Sequence, residues 1–166
     1  PLKRAVSDVK QIRTALNDFV FTDIRVLLNS SATRATILAT IKDLMHQAGS
    51  NGAVFVYYAG HGHKTTGLSR DIGFLVPYDG TSNPKETYDR NISLDEIKDL
   101  AERNLVKHTY IALDCCFSGL LCYRSMPAYS VQAVSFAVRT VKAAMICFCN
   151  HRKRLPLTDQ IIGSVQ

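Results

Sequence analysis

The sequence predicts an α/β protein with a mainly parallel sheet flanked by helices. Short, continuously apolar runs such as residues 53–58 (AVFVYY) and 109–113 (TYIAL) are typical of strands that are buried on both faces. Segments with helical periodicity alternate with these runs along the chain. Glycine-containing polar segments follow the runs directly and end them. Together these patterns favour parallel strands joined by crossover helices.

Length, composition and charge limit the class of protein further. The 166 residues suffice for about one domain, and 46% hydrophobic with 20% charged residues is a globular rather than a disordered or membrane-spanning composition. Residues 1–114 carry 14 basic and 13 acidic side chains, whereas residues 115–166 carry six basic side chains and one acidic one. No aromatic residues alternate with basic ones along a face, so we expect no nucleic-acid partner. The longest apolar stretch, residues 131–149, contains Arg139 and Lys142, so we expect no membrane partner.

Helical periodicity and capping residues predict three helices. They cover residues 7–19, 34–48 and 94–101. The expected N-caps are Ser7, Thr33 and Ser93. Glu96 completes a capping-box pattern with Ser93, and Gly49 is expected to end the second helix.

Strands are predicted between the helices and in the last part of the chain. They cover residues 21–29, 53–58, 72–76, 109–113 and 143–149. Pro77 and Gly80 end the third strand, and residues 80–90 are interpreted as a polar loop.

Two of these strands are followed directly by residues with reactive side chains. The strand at 53–58 is followed by a Gly-His-Gly segment, and the strand at 109–113 by an Asp-Cys-Cys segment. Ligand sites of parallel sheets lie beyond the carboxyl ends of the strands. If the two strands are parallel neighbours, the imidazole of His61 and the thiol of Cys116 lie at the same edge, although 55 residues separate them in sequence.

A thiol beside an imidazole can cleave a peptide bond. The nucleophile is the thiolate, and a nearby histidine can lower the pKa of the thiol or accept its proton. Cys116 is therefore the candidate nucleophile, His61 the candidate base, and the backbone N–H groups of Gly62 and Cys116 are candidate oxyanion donors. The alternative is that Cys115 and Cys116 are ordinary buried cysteines, which are common in strands.

The number and spacing of the cysteines indicate neither disulfide bonds nor a metal site. All five lie in the last third of the chain: Cys115, Cys116, Cys122, Cys147 and Cys149. An odd number without a secretory signal favours free thiols in a reducing compartment, so we expect a cytoplasmic protein. The CFCNH segment at 147–151 has the wrong spacing for a structural zinc site and is better interpreted as part of a buried strand, so we expect no metal there.

The two strand-end segments resemble the motifs of a known peptidase family. YYAGHGH (57–63) and LDCCFSG (113–119) resemble the histidine and cysteine motifs of caspase-like cysteine peptidases, in particular the metacaspase and bacterial caspase-homologue branch. The resemblance covers residues 5–121 and extends to SATRATILATIKDL, FLVPYDG and ISLDEI. It implies a caspase-like three-layer sandwich and a cysteine endopeptidase with His61 and Cys116 in its active site.

The resemblance also implies a substrate preference. In metacaspases the aspartate two positions before the nucleophile lies in the specificity pocket and pairs with an Arg or Lys of the protein or peptide substrate. That position is Asp114 here, whose alternative role is to cap the end of the strand. Several metacaspases bind calcium, but Asp71 and Asp79 are too few oxygen ligands for that ion, so we expect no cofactor.

The sequence also departs from the family pattern. Family members place a strand before the first helix, between the strands found here at 21–29 and 53–58, and this central strand is expected to be missing. We expect a caspase-like catalytic domain at residues 1–125 and a basic segment at 126–166 that adds a later strand and a helix to it. These departures suggest a fragment of a family member. The alternative function is therefore a catalytically inactive interaction or regulatory module. Such a module would self-associate or bind a partner through a sheet edge.

Overall fold

The structure, a computed structural model, describes residues 3–17, 19, 21–66, 70–116 and the backbone of 143–149. The α-helices are α1 (Lys3–Leu16), α2 (Arg34–Ala48), α3 (Thr87–Arg90) and α4 (Leu94–Arg103). The strands are β1 (Phe21–Leu28), β2 (Ala53–Ala59), β3 (His61–Thr66), β4 (Asp71–Val76), β5 (Ile92–Ser93), β6 (His108–Asp114) and β7 (Ala143–Cys149). Short 3-10 turns follow β1 and α2.

The described strands form two sheets. The larger sheet is parallel throughout and has the order β1-β7-β2-β6, as the apolar runs predict. The smaller sheet, β3-β4-β5, is antiparallel. The strand predicted at 72–76 is confirmed as β4, but its partners β3 and β5 were not predicted. Strand β3 has the polar sequence HGHKTT, which is stabilised as a strand by pairing with β4 rather than by its own hydrophobic pattern.

Alternate residues of β2 enter two different hydrophobic clusters. Val54, Val56 and Tyr58 pack with residues of α2 and α4, whereas Phe55 and Tyr57 pack with residues of α1. Because successive side chains of a strand point to opposite faces, α1 contacts one face of the parallel sheet and α2 with α4 contacts the other. The run at 53–58, predicted to be buried on both faces, thus packs against a different hydrophobic cluster on each side of the sheet.

The N-cap predictions for α2 and α4 are confirmed, whereas the Glu96 side chain, expected to complete a capping box, accepts hydrogen bonds from Arg34. The Thr33 hydroxyl accepts a hydrogen bond from the backbone N–H of Thr36 at 3.2 Å, and α2 ends at Gly49. The Ser93 hydroxyl accepts one from the N–H of Glu96 at 3.0 Å. These local signals position α2 and α4 correctly because each satisfies a backbone N–H that the first helical turn leaves without a partner.

The bounds predicted for α1 are wrong. The helix begins at Lys3, so Ser7 lies inside it and is not its N-cap. Ala5 and Val9 are both buried four residues apart, which extends the apolar face towards the N-terminus. The helix ends at Leu16, and Phe19, the last residue of the predicted helix, lies beyond it and is exposed. The segment interpreted as a loop at 80–90 likewise contains the short helix α3.

Strand β7 occupies the central position of the parallel sheet. Its residue Ile146 pairs with Arg25 on β1 and with Val56 on β2. The strand predicted at 143–149 is therefore confirmed, but the expected gap between β1 and β2 is wrong. An apolar run near the other end of the sequence supplies this strand, since a parallel strand is defined by its direction and hydrophobicity rather than by its place in the chain. The helix expected in 126–166 lies outside the described residues.

Candidate active site

The carboxyl ends of β2 and β6 lie side by side. The two strands are parallel neighbours, and Ala59 at the end of β2 pairs with Asp114 at the end of β6. One residue further on, the N–H of Gly60 donates to the carbonyl oxygen of Asp114 at 3.2 Å. His61 and Cys116 each follow the paired residues by two positions. The predicted strand pairing is therefore confirmed, and both segments leave the sheet at the same edge.

Gly62 lies directly against the backbone of Cys116. A Cβ atom added to Gly62 would overlap the carbonyl oxygen of Cys116 and lie 2.9 Å from its carbonyl carbon. Since these are backbone atoms, no side-chain movement could relieve the overlap. Sequence analysis considered the N–H group of Gly62 as an oxyanion donor, and the structure adds that the absence of a side chain lets the histidine and cysteine segments pack together.

His61 is half-buried at the start of β3. It pairs with Val76 of β4, so its backbone belongs to the antiparallel sheet while the preceding residues belong to the parallel sheet. Burial lowers the pKa of the imidazole below its ordinary value of 6.5. The neutral ring, which is the form able to accept a proton, therefore persists to lower pH than in an exposed histidine.

The two adjacent cysteines occupy different environments. Cys115 packs against the hydrophobic cluster of α2, α4 and β2, and this burial, with smaller effects of Cys116 and Asp114, raises the pKa of its thiol to about 12. Cys116 is exposed. The interpretation as a structural cysteine therefore fits the partly buried Cys115 better than the exposed Cys116.

Asp114 is exposed at the end of β6. The Tyr57 hydroxyl, from the neighbouring strand, donates to its Oδ2 at 3.4 Å. The main-chain carbonyl of Asp114, rather than its side chain, accepts the hydrogen bond from Gly60. Tyr57 was missed as a site residue, because the sequence shows only two adjacent tyrosines in an apolar strand and not which of them faces the carboxylate.

The acidic residues considered for calcium have other contacts. Asp71 forms an ion pair with Lys64 at 2.6 Å, and Asp79 Oδ1 accepts the backbone N–H of Arg34 at 2.8 Å. Within the described part of the chain, no three His, Cys, Asp or Glu side chains are grouped so that they could hold a metal ion. The CFCNH segment includes His151, which lies outside the described residues.

None of the described helices combines the length and the hydrophobicity needed to cross a membrane.

A parallel sheet whose neighbouring strands end in Gly-His-Gly and Asp-Cys-Cys segments is characteristic of a caspase-like peptidase domain. The family described as metacaspase, peptidase C14 domain, matches residues 1–123, and the chain belongs to this family. Strand β7 lies beyond the matched residues. Neither a curated protein nor a solved structure matches the chain. Membership of a peptidase family implies a protein or peptide substrate.

Proposed function

We propose that this chain is a cysteine endopeptidase in which Cys116 and His61 form a catalytic dyad that cleaves after Arg or Lys. The observation that carries the proposal is the parallel pairing of β2 with β6, which brings the Gly62 backbone against that of Cys116. Helices on both faces of the sheet support a three-layer sandwich of the caspase type as its framework.

The proposed reaction needs only the two side chains and backbone N–H groups. His61 accepts the proton of the Cys116 thiol, and the thiolate attacks the carbonyl carbon of the scissile bond. The N–H groups of Gly62 and Cys116 stabilise the oxyanion that forms. His61 then protonates the leaving amine, and water deprotonated by His61 hydrolyses the acyl-enzyme and restores the thiol.

Asp114 is proposed to select the basic side chain of the substrate. Its carboxylate is exposed beside the proposed nucleophile, where an Arg or Lys side chain can form a charge-assisted hydrogen bond with it. The Tyr57 hydroxyl contacts the same carboxylate and can hold one oxygen in place. A substrate with aspartate at this position would instead meet a like charge, which disfavours its binding.

Further properties of the enzyme follow the same proposal. The reaction requires no cofactor. The carboxylate oxygens of Asp71 and Asp79, which could serve as calcium ligands, are bound to Lys64 and to the N–H of Arg34. The partner is a protein or peptide rather than a nucleic acid or a membrane, and the cell compartment is the cytoplasm. Self-association would use an edge of the parallel sheet, where β1 and β6 are the outermost of the described strands.

Hydrolysis of fluorogenic peptides tests the proposal. Matched peptides ending in Arg, Lys or Asp would be incubated with the wild type, Cys116→Ala and Cys115→Ala, with and without calcium. We expect cleavage after Arg and Lys that is lost in Cys116→Ala and kept in Cys115→Ala, because partial burial raises the pKa of the Cys115 thiol to about 12. A folded wild-type protein that cleaves none of the peptides would overturn the proposal in favour of an inactive module.

A further inference from the structure

The Tyr58 side chain contacts both the proposed base, His61 on β3, and the neighbouring strand β4. Its side chain is 1% exposed, and its hydroxyl lies within hydrogen-bond distance of two backbone carbonyl oxygens, at 2.9 Å from that of Val76 and 3.0 Å from that of His61. These two residues are register partners in the β3–β4 pair. One phenolic O–H group therefore bridges three strands at the point where the parallel sheet changes into the antiparallel sheet.

The backbone between Tyr58 and His61 folds closely over the tyrosine ring. A Cβ atom added to Gly60 would lie 2.5 Å from the Tyr58 hydroxyl oxygen and 2.7 Å from the ring carbon that bears it. A side chain at position 60 would therefore displace the Tyr58 ring and its hydroxyl. The O–H group supplies a donor to backbone oxygens at a buried site, where an unsatisfied carbonyl is unfavourable.

We propose that Tyr58 is a positioning residue that fixes the His61–Gly62 backbone against the Cys116 turn. This inference rests on the proposed function and deepens it. Because Gly62 is already in contact with the Cys116 carbonyl, a displacement of β3 at His61 changes the geometry between imidazole and thiol. The Tyr58 hydroxyl contacts the backbone carbonyl of His61 rather than its ring, so we expect it to act through the backbone of the proposed base.

The variant Tyr58→Phe isolates the hydroxyl, since it keeps the ring and removes only the O–H. We expect kcat for the Arg peptide to fall by about tenfold to a hundredfold, as for a displacement of reacting groups by about 1 Å, with KM nearly unchanged. The matched control is Tyr88→Phe, which removes the hydroxyl of an exposed tyrosine and is expected to keep kcat. Because unfolded protein would also lower the apparent kcat at an unchanged KM, the urea midpoint and the folded fraction of each variant are measured alongside, and kcat is expressed per folded molecule.

A second readout does not require catalysis. The His61 ring is followed by NMR as a function of pH in the wild type, Tyr58→Phe and Tyr88→Phe, and its signal is assigned by its loss in His61→Gln. The neighbouring titratable groups His63, Asp114, Cys115 and Cys116 are the same in all three proteins. We expect only Tyr58→Phe to raise the pKa of His61 towards 6.5, because a loosened β3 exposes the ring to water.

The two readouts separate the inference from the proposed function. If the wild type cleaves no peptide but the His61 titration shifts only in Tyr58→Phe, the positioning role stands and the peptidase proposal fails. If kcat and the titration of Tyr58→Phe both equal those of Tyr88→Phe, the positioning role is overturned. Loss of activity in proportion to unfolded protein, with an unchanged titration of the folded fraction, also overturns it in favour of a purely structural tyrosine.

Discussion

Replacing Ile146 by proline tests the central position of β7. Ile146 pairs with Arg25 on one side and with Val56 on the other, so its backbone lies inside a parallel ladder. Proline has no N–H to donate, and its ring does not fit between two hydrogen-bonded neighbours in a central strand. The substitution therefore removes a hydrogen bond wherever the N–H points, and it leaves a buried carbonyl of β1 or β2 without its donor.

The expected loss of stability follows from these two effects. The lost hydrogen bond contributes about 1 kcal/mol and the carbonyl left without a donor costs about 1–3 kcal/mol, to which the steric clash adds. A total of roughly 3–5 kcal/mol is a large fraction of the 5–15 kcal/mol that is typical of a domain. With a urea m-value of about 2 kcal/mol/M, the unfolding midpoint falls by about 2 M.

Urea unfolding measures this change directly. Far-UV circular dichroism and tyrosine fluorescence are suitable probes, since the chain contains seven tyrosines and no tryptophan. Ser82→Pro, in an exposed loop, is the control for introducing proline, and Ile146→Val is the control for altering the side chain. If Ile146→Pro unfolded at the same urea concentration as the wild type and Ser82→Pro, β7 would not be paired on both sides and the central position described here would be refuted.

Three further predictions concern the site. Gly62→Ala introduces a Cβ that overlaps the Cys116 carbonyl, so we expect it to destabilise the protein by about 1–3 kcal/mol and to reduce kcat; unaltered peptide hydrolysis would contradict the contact. At pH 8, iodoacetamide should modify Cys115 on the order of 10³ times more slowly than an ordinary thiol, because a pKa of about 12 leaves very little thiolate; mass spectrometry that finds Cys115 modified first would reverse the assignment of the two thiols. Because burial lowers the pKa of His61 in the folded protein, the unfolded chain binds the proton more tightly. His61 should therefore lower the free energy of unfolding as the pH falls from 6.5 towards the pKa of the folded state. Urea midpoints that vary equally with pH in the wild type and His61→Gln would exclude this effect.

Local signals predicted much of the fold and the shared edge of the site. Helix α2 was predicted at both ends because Thr33 and Gly49 act on backbone groups within a few residues of themselves. The proximity of the His61 and Cys116 segments followed from a topological rule, since the ends of neighbouring parallel strands meet at one edge. In both cases the physical cause is either close in sequence or independent of side-chain detail.

The features that were missed depend on partners distant in sequence. Strand β3 is polar, and its strand conformation depends on pairing with β4. The apolar run of β7 shows that a strand prefers burial, but hydrophobicity alone cannot identify the two strands that will flank it. Similarly, the sequence shows Tyr58 as one more core residue, and only the fold reveals that its hydroxyl contacts the carbonyls of His61 and Val76.

The position of β7 also affects when the protein can fold during its synthesis. Ribosomes release a chain from its N-terminus, so β1 and β2 emerge long before the strand that separates them. Until residue 149 is available, their facing edges have no partner, and the contacts that satisfy them join residues on the order of a hundred positions apart. We therefore expect the centre of the sheet to form only after translation of β7, whereas β2 and β6, which carry the proposed dyad, can pair before it.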